Sequence, residues 1–334
     1  MRPAEAAAPP TPAEAVLVTG AAGWVGQALC QALLDRGQAV TPCARMPARL
    51  AGGRLATLAV GDIAQATDWR AALEGCAAVV HLAARVHAPA APDAAEWHLH
   101  RRINTEATLA LAQQAAQAGV RRFVFVSSLK VHGDTTAPGQ PARPDDAVDP
   151  VDPYGRSKWE AEQGLRALSQ PSGMEVVVVR PPLVYGPGVR ANMGALLRAV
   201  DRGLPLPLGA VRNNRRSLLA LDNLVDLLLR CLDHPAAAGG TFLASDGEDM
   251  STAELLEAVA DALDRPALLL PIPPSWLSLA ARVAGRPSLA ARLLGSLQAD
   301  ISLTRQVLDW APPVRPSLAL RAMAAAWRAR GGWE

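Results

Sequence analysis

Ala15-Val16-Leu17-Val18-Thr19-Gly20-Ala21-Ala22-Gly23-Trp24-Val25-Gly26 is the stretch that decides the fold. A short apolar run ends in glycines spaced three apart, and a helical stretch follows to Arg36, where Gly37 stops it. Strand, glycine turn and helix in that order suit a pyrophosphate. The glycines let the backbone come close, and the helix N-terminus presents free N–H groups and the positive end of its dipole. The spacing is G-x-x-G-x-x-G rather than G-x-G-x-x-G, so the turn by itself also fits a plain tight turn. The rest of the chain has to choose between them.

Downstream, strand-like and helix-like runs alternate. Strands are expected at Gln38 to Ala44, Arg54 to Val60, Ala77 to Leu82, Arg121 to Val126 and Glu175 to Val179, with another near Thr241 to Ala244. A long helix is expected from Asp93 to Ala118, capped by Gly119, and another from Tyr154 to Ser169. Such alternation gives a parallel sheet covered on both faces, with ligands at the carboxyl ends of its strands. The fold class is therefore α/β, a doubly wound parallel Rossmann sheet with a smaller, mostly helical C-terminal substrate lobe. The expected boundaries are a disordered tail at 1–14, a dinucleotide-binding domain at 15–180 rejoined by 217–244, and a substrate lobe at 181–216 and 245–334. Ser251 and Glu254 form a capping box for one helix of that lobe. After the Arg121 to Val126 strand and its Ser127-Ser128, His132 to Pro150 is a long functional-type loop.

The strand ends carry the chemistry. An acidic residue about 20 positions after the glycines would bond a ribose 2′-hydroxyl. Here that place holds Cys43, Ala44 and Arg45. With no carboxylate and an Arg able to accept a 2′-phosphate, NADP(H) is favoured and NAD(H) remains possible. The alternative is that Arg45 stacks on the adenine or faces solvent. Asp62, beside Ile63, either bonds the adenine amino group or caps a following helix. The small residues after Leu82, Ala83 and Ala84, let a cofactor lie against the backbone. Asn104 either braces the active-site loop or is exposed.

Asp152-Pro153-Tyr154-Gly155-Arg156-Ser157-Lys158 places a phenol and an ammonium four residues apart at a helix start, on one face. Tyr154 is one of two tyrosines, and Lys130 and Lys158 are the only lysines in a chain otherwise built on Arg. A cation beside a phenol favours the phenolate, so the Tyr154 pKa is expected to fall towards a range useful for proton transfer. An ordinary surface pair is the alternative. Arg212-Asn213-Asn214-Arg215-Arg216-Ser217, the densest basic cluster, suits a diphosphate or is a solvated turn.

Composition narrows the classes. The 334 residues carry 33 basic and 31 acidic side chains, a formal charge of +2, which gives no long-range field for nucleic acid or an anionic membrane. Cys30, Cys43, Cys76 and Cys231 are scattered, read as reduced thiols, and fit a cytoplasmic protein with no metal site. No apolar run is long enough to span a membrane, so no membrane insertion is expected. Trp276 to Leu297 interleaves Leu, Val and Ala with Arg282, Arg286 and Arg292. A membrane-surface helix is one reading, and a helical pair packed over the lobe, broken at Gly285 and Pro287, is the favoured one.

With the glycine turn from Thr19 to Gly26, Ser127-Ser128, Tyr154-x-x-x-Lys158 and Arg180-Pro181-x-x-Val184-Tyr185-Gly186-Pro187 in one order, the chain resembles the extended short-chain dehydrogenase/reductases. Within them it resembles the nucleotide-sugar epimerase/dehydratase/reductase branch. The resemblance covers the chain from Ala15 onward. It implies a tightly held nicotinamide cofactor, a UDP-sugar substrate and a possible homodimer. Tyr154 would be the catalytic base, Lys158 its partner and Ser128 the hydroxyl on the reacting sugar oxygen. The cofactor surface would comprise Gly20, Gly23, Trp24, Val25, Gly26, Arg45, Asp62, Ile63, Leu82, Ala83, Ala84, Ser127, Tyr154, Lys158 and Pro181. Ser128, Lys130, Asn192 and Arg216 would meet the substrate, with Arg212 and Asn192 joining Arg216 at the diphosphate and Lys130 reaching either the sugar or only its own loop.

Departures sharpen the expectation. The 4,6-dehydratases carry an Asp-Glu pair after the residue matching Ser128, where this chain has Leu129 and Lys130. The hexose 4-epimerases usually show an acid at Ala44 and an Asn near Leu183, both absent here. His81-Leu82-Ala83-Ala84-Arg85-Val86-His87 and Ser128-Leu129-Lys130-Val131-His132-Gly133 look most like reductases of UDP-2-acetamido-2,6-dideoxy-4-ketohexose, which serve surface polysaccharide synthesis. Reduction of such a 4-keto sugar is the leading expectation. A UDP-hexose 4-epimerase is the alternative, and a non-catalytic NADP-sensing module is the alternative of another class.

Overall fold

The computed structural model describes residues 14–86, 94–137, 139–285 and 287–331. The expected tail, apart from Glu14, together with His87, Asp93 and the Arg286 side chain, lies outside them. Among the described residues there are eleven strands: β1 (Ala15–Thr19), β2 (Val40–Ala44), β3 (Arg49–Leu50), β4 (Leu55–Ala56), β5 (Leu58–Ala59), β6 (Cys76–His81), β7 (Arg122–Val126), β8 (Glu175–Arg180), β9 (Leu183–Tyr185), β10 (Leu218–Ala220) and β11 (Thr241–Leu243). Seven form one sheet in the order β11-β8-β7-β6-β1-β2-β5, and every pairing in it is parallel. The winding direction reverses between β1 and β6, which opens a crevice at their carboxyl ends.

Alternate residues of the strands feed two cores. Val16, Val18, Val80, Val124 and Val177 pack against Leu29 and Leu33 of α1 (Trp24–Asp35) and against Leu224 and Leu228 of the later helix Leu221–Asp233. Leu17, Val79, Phe123, Phe125 and Val178 point the other way. They meet Leu111 and Ala115 of the helix Ala107–Gln117, and Ala161 and Leu165 of the helix Pro153–Ser172. Each fully buried Leu or Val is worth about 1.5–3 kcal/mol, so the two covered faces explain why the strands read as near-continuous apolar runs.

Two expectations are corrected. The third strand, expected over Arg54 to Val60, is broken into β4, which pairs antiparallel with β3, and β5, which pairs parallel with β2. The helix expected from Asp93 to Ala118 is three pieces. After α2 (Arg70–Leu73) come α3 (Ala94–His100), a π-helical segment Arg101–Glu106, and α4 (Ala107–Gln117). A π segment inside a helix re-aims its side chains, and it falls on Asn104.

α5 (Pro153–Ser172) starts where the side chain of Asp152 accepts from the Gly155 N–H at 2.7 Å and Pro153 occupies the first turn. It runs past Ser169 and ends at Gly173, whose φ is 69°. α6 (Ala191–Asp201), α7 (Leu221–Asp233), α8 (Thr252–Ala262), α9 (Pro274–Val283), α10 (Pro287–Leu294), α11 (Ser302–Leu308) and α12 (Pro316–Ala329) follow. α8 carries the expected Ser251–Glu254 capping box. Met193 and Leu197 of α6, Leu256 and Val259 of α8 and Met323 and Trp327 of α12 share a third core. β9 and β10 form a separate parallel pair beneath it, which the sequence reading did not anticipate. No described helix is long and apolar enough to cross a membrane.

Candidate functional site

The glycine turn closes backbone on backbone. A Cβ on Gly26 would stand 2.2 Å from the Gly20 carbonyl oxygen and 2.7 Å from the Ala21 Cα. A Cβ on Gly20 would stand 3.0 Å from the Ala83 nitrogen, so the turn after β1 is pressed against the loop after β6. Thr19 fastens the two. Its hydroxyl oxygen accepts from the N–H groups of Leu82 (3.1 Å) and Ala83 (3.2 Å) and lies 2.8 Å from His81 Nδ1. His81 Nε2 in turn lies 2.9 Å from Thr108 Oγ1. Burial, with the nearby Lys158 charge, pushes the His81 pKa down to about 3, so this histidine is neutral.

Gly23, the N-cap of α1, supplies no side-chain cap. The first N–H groups of α1 therefore face the crevice side of the turn without a side-chain acceptor, and the tight cradle fits a pyrophosphate. The Trp24 indole N–H donates to the Pro187 carbonyl at 2.7 Å and ties the turn to the loop after β9. Arg45 is exposed just beyond β2. Asp62 is exposed too, and its carboxylate accepts from the Ala64 N–H at 3.0 Å. It closes a local turn rather than capping a helix, because α2 begins only at Arg70. Ile63, Leu82, Ala83 and Ala84 are half-buried along the same edge.

Ser127 and Ser128 follow β7 at that edge. The Ser127 N–H donates to Val179 O at 2.8 Å, and the Leu129 N–H to Pro181 O at 2.9 Å, so β8 and Pro181 hold this turn in place. The Ser128 hydroxyl lies beside the Tyr154 phenol, close enough to lower its pKa. One helical turn along α5, the Lys158 ammonium lies 4.4 Å from the Phe125 ring centre in β7. Tyr154 also meets the buried His100 ring edge-on, at 6.4 Å between centres. Tyr154 and Lys158 thus share one side of α5, at the carboxyl end of β7.

Their acidities differ from the sequence expectation. Burial pushes the Tyr154 phenol up to about 12, the Ser128 hydroxyl pulls it down and the Asp152 charge pushes it up. Burial pushes the Lys158 ammonium down to about 7, with Glu162 pulling it up. A low-dielectric site disfavours both charged forms, so the ammonium is itself weakened and the phenol is not acidified.

Asn104 is fully buried and acts as a brace. Its carbonyl oxygen accepts from the Arg85 N–H (2.8 Å), and its amide donates to Arg85 O (2.9 Å) and Ser157 Oγ (3.0 Å). Ser157 Oγ donates to Tyr154 O at 2.8 Å, which links the loop after β6 to the start of α5. Glu162, not singled out in the sequence, accepts from Ser127 Oγ (2.5 Å) and from Arg180 Nε (3.1 Å) and Nη2 (2.6 Å). Arg180 Nη1 reaches His132 Nε2 and the Pro144 carbonyl, at 2.9 and 3.0 Å, and so pins the 132–150 loop. The only sequence signal for Glu162 was its position one turn beyond Lys158 on α5.

Of the expected substrate residues, Lys130 pairs with Asp152 and, at 3.0 Å, with Asp134, which ties it into the loop. Arg212 and Arg215 pair with Glu257 and Glu254 of α8. Arg216 is half-buried, donates to Gly295 O at 3.0 Å, and feels the charges of Asp134 and Arg292. Asn192 is exposed at the start of α6. The structure gathers Ser128, Tyr154, Lys158 and the glycine turn at one sheet edge, while the basic cluster belongs to the C-terminal lobe.

A parallel sheet of this winding, with a Ser–Tyr–Lys set and a glycine cradle at its switch point, defines a short-chain dehydrogenase/reductase fold. Residues 16–244 match the NAD dependent epimerase/dehydratase family, and the chain belongs to that family. It is 44% identical over 301 residues, covering 90% of this chain and 91% of the other, to a UDP-glucose 4-epimerase of Vibrio cholerae. Among solved structures it is similar to a short-chain dehydrogenase/reductase superfamily protein of Agrobacterium tumefaciens with bound NAD, at 26% identity and a TM-score of 0.75 over 95% of this chain and 98% of that one. It is likewise similar to MoeE5 in complex with UDP-glucuronic acid and NAD, at 26% identity and a TM-score of 0.77 over 94% and 99%.

Proposed function

We propose that the protein inverts the configuration at C4 of a UDP-hexose, using a bound nicotinamide dinucleotide without net redox change. The similarity to the Vibrio cholerae 4-epimerase over nine-tenths of both chains carries this reading. It reverses the preference for a 4-keto reductase that local motifs suggested. The intact Ser128–Tyr154–Lys158 set supports catalysis over a sensing role.

Gly20, Gly23 and Gly26 would seat the pyrophosphate, Leu82 to Ala84 would flank it, and Lys158 would steady the nicotinamide ribose. A bound nicotinamide would supply reversible hydride acceptance at C4, and inversion would follow because the 4-keto sugar turns over in the cleft before hydride is returned to its opposite face. Ser128 and Tyr154 would both hold the C4 oxygen, where charge changes during the reaction. Tyr154 would take the C4 hydroxyl proton and return it to the same oxygen, with the positive charge of an oxidised nicotinamide offsetting the burial that raises the phenol's pKa. Arg216 would hold the diphosphate.

One observation favours a second reading, reduction of a UDP-4-keto sugar by NADPH. Arg45 stands exposed at the end of β2 where no carboxylate is present, as a 2′-phosphate would require. Nicotinamide absorbance separates the two. Steady conversion of UDP-glucose to UDP-galactose with no absorbance change supports epimerisation. Consumption of added NADPH in proportion to a 4-keto substrate, with no epimerisation, would replace it by the reductase. Tyr154→Phe should lower turnover by about 10²–10⁴-fold while leaving dinucleotide binding intact. Full turnover in that variant contradicts both readings.

A further inference from the structure

The formal charge of +2 averages over an uneven molecule. Residues 265–299 contain four Arg and not one Asp or Glu. The same region holds Leu268, Leu270, Trp276, Leu279, Val283 and Leu289, six of the large apolar side chains that stand exposed on the described surface. The concentration is not scattered surface hydrophobicity of the ordinary kind.

α9 is two-faced. Leu277 points inward and joins the third core, as do Leu293 and Leu294 of the neighbouring α10. Trp276, Leu279 and Val283, at i, i+3 and i+7, point outward and are 68, 63 and 83% exposed. This is one continuous helical stripe. No residue of α9 is buried, so the helix is held from one side only. Arg282 is exposed beside the stripe, and among the described residues it has no carboxylate partner. A Trp-bearing apolar stripe with an Arg rim and no acid has the chemistry of a helix lying in a headgroup layer: the ring and Leu side chains enter the acyl boundary and the guanidinium meets lipid phosphates.

We propose that α9, continued by α10, is a docking face for an anionic phospholipid surface, so that the protein is held peripherally on a membrane without spanning it. Charge complementarity selects this occupant. A protein partner would have to supply an acidic patch around an apolar groove, and a second copy would bring Arg282 against its own like charge. α10 leads into Gly295, whose carbonyl receives Arg216, so the docked face adjoins the C-terminal side of the cleft. The proposal does not depend on which reaction the cleft performs.

The test is co-sedimentation of the full chain with vesicles of phosphatidylcholine alone and of phosphatidylcholine mixed with phosphatidylglycerol. Binding should require phosphatidylglycerol and fall as salt rises. The triple variant Trp276→Ser, Leu279→Ser, Val283→Ser should bind at least roughly tenfold more weakly. Arg282→Gln should bind less and with a shallower salt dependence. All substituted side chains are exposed, so each variant should keep its thermal midpoint and its turnover of soluble substrate. Three results would overturn the proposal: no partition onto phosphatidylglycerol vesicles at low salt, equal binding by the triple variant, or a dimer in solution that the triple variant converts to monomer.

Discussion

Lys158 is 1% exposed and sits over an aromatic ring, an expensive place for an ammonium. In the unfolded chain it keeps its proton to about 10.5, but in the folded chain it releases it near 7. Between those values the unfolded state binds more protons, so this group makes stability rise with pH across that window. Lys158→Met should therefore raise stability by about 1–4 kcal/mol at pH 6 in urea unfolding, and the gain should shrink as pH rises towards 10. The same variant should lose turnover. His81 behaves in the complementary acid range. Its folded pKa, about 3, is depressed below the ordinary 6.5. Stability should fall by about 1.4 kcal/mol per pH unit as pH drops below 6.5. His81→Gln should flatten that slope while weakening the link to Thr19. The sequence names Tyr154 and Lys158 through their spacing. Their acidities are invisible in it, because burial is a property of what surrounds α5.

At the scale of elements, the turn between β1 and α1 and the π segment between α3 and α4 define the cleft's two sides. Gly26→Ala puts a methyl 2.2 Å from a carbonyl oxygen that has no room to move. It should cost about 1–3 kcal/mol and abolish dinucleotide binding, read by thermal shift with and without NAD. Asn104→Ala leaves the Arg85 N–H and carbonyl and Ser157 Oγ short of partners, and should cost about 1–3 kcal/mol for each group left unsatisfied. Hydrogen exchange at Arg85 should accelerate more than exchange in β1. Glycine spacing is written in the sequence because each glycine answers a local collision. The π segment is not, since Ala94 to Gln117 has ordinary helical composition and bends to satisfy Asn104 across the fold. The third strand broke for the opposite reason: Gly52 and Gly53 let β3 and β4 fold back on each other before β5 joins the sheet.

At the scale of the molecule, one buried ion pair connects pieces far apart in the chain. Glu162 of α5 joins Arg180 at the end of β8, Ser127 at the end of β7 and, through Arg180, the 132–150 loop. Glu162→Ala should destabilise the protein by about 3–5 kcal/mol, since it strands a buried guanidinium. Limited proteolysis should then cut first within the 132–150 loop.

The sequence alone determined the α/β alternation, the parallel sheet, the glycine cradle and the Tyr154–Lys158 face, because period, turn residues and helix spacing are local consequences of side-chain shape. The tertiary structure decided the rest. It revealed Glu162 and Asn104 as braces, turned Lys130 into the loop, and left α9 with an apolar face outward, because each of these depends on which groups meet across the fold and which are excluded from water.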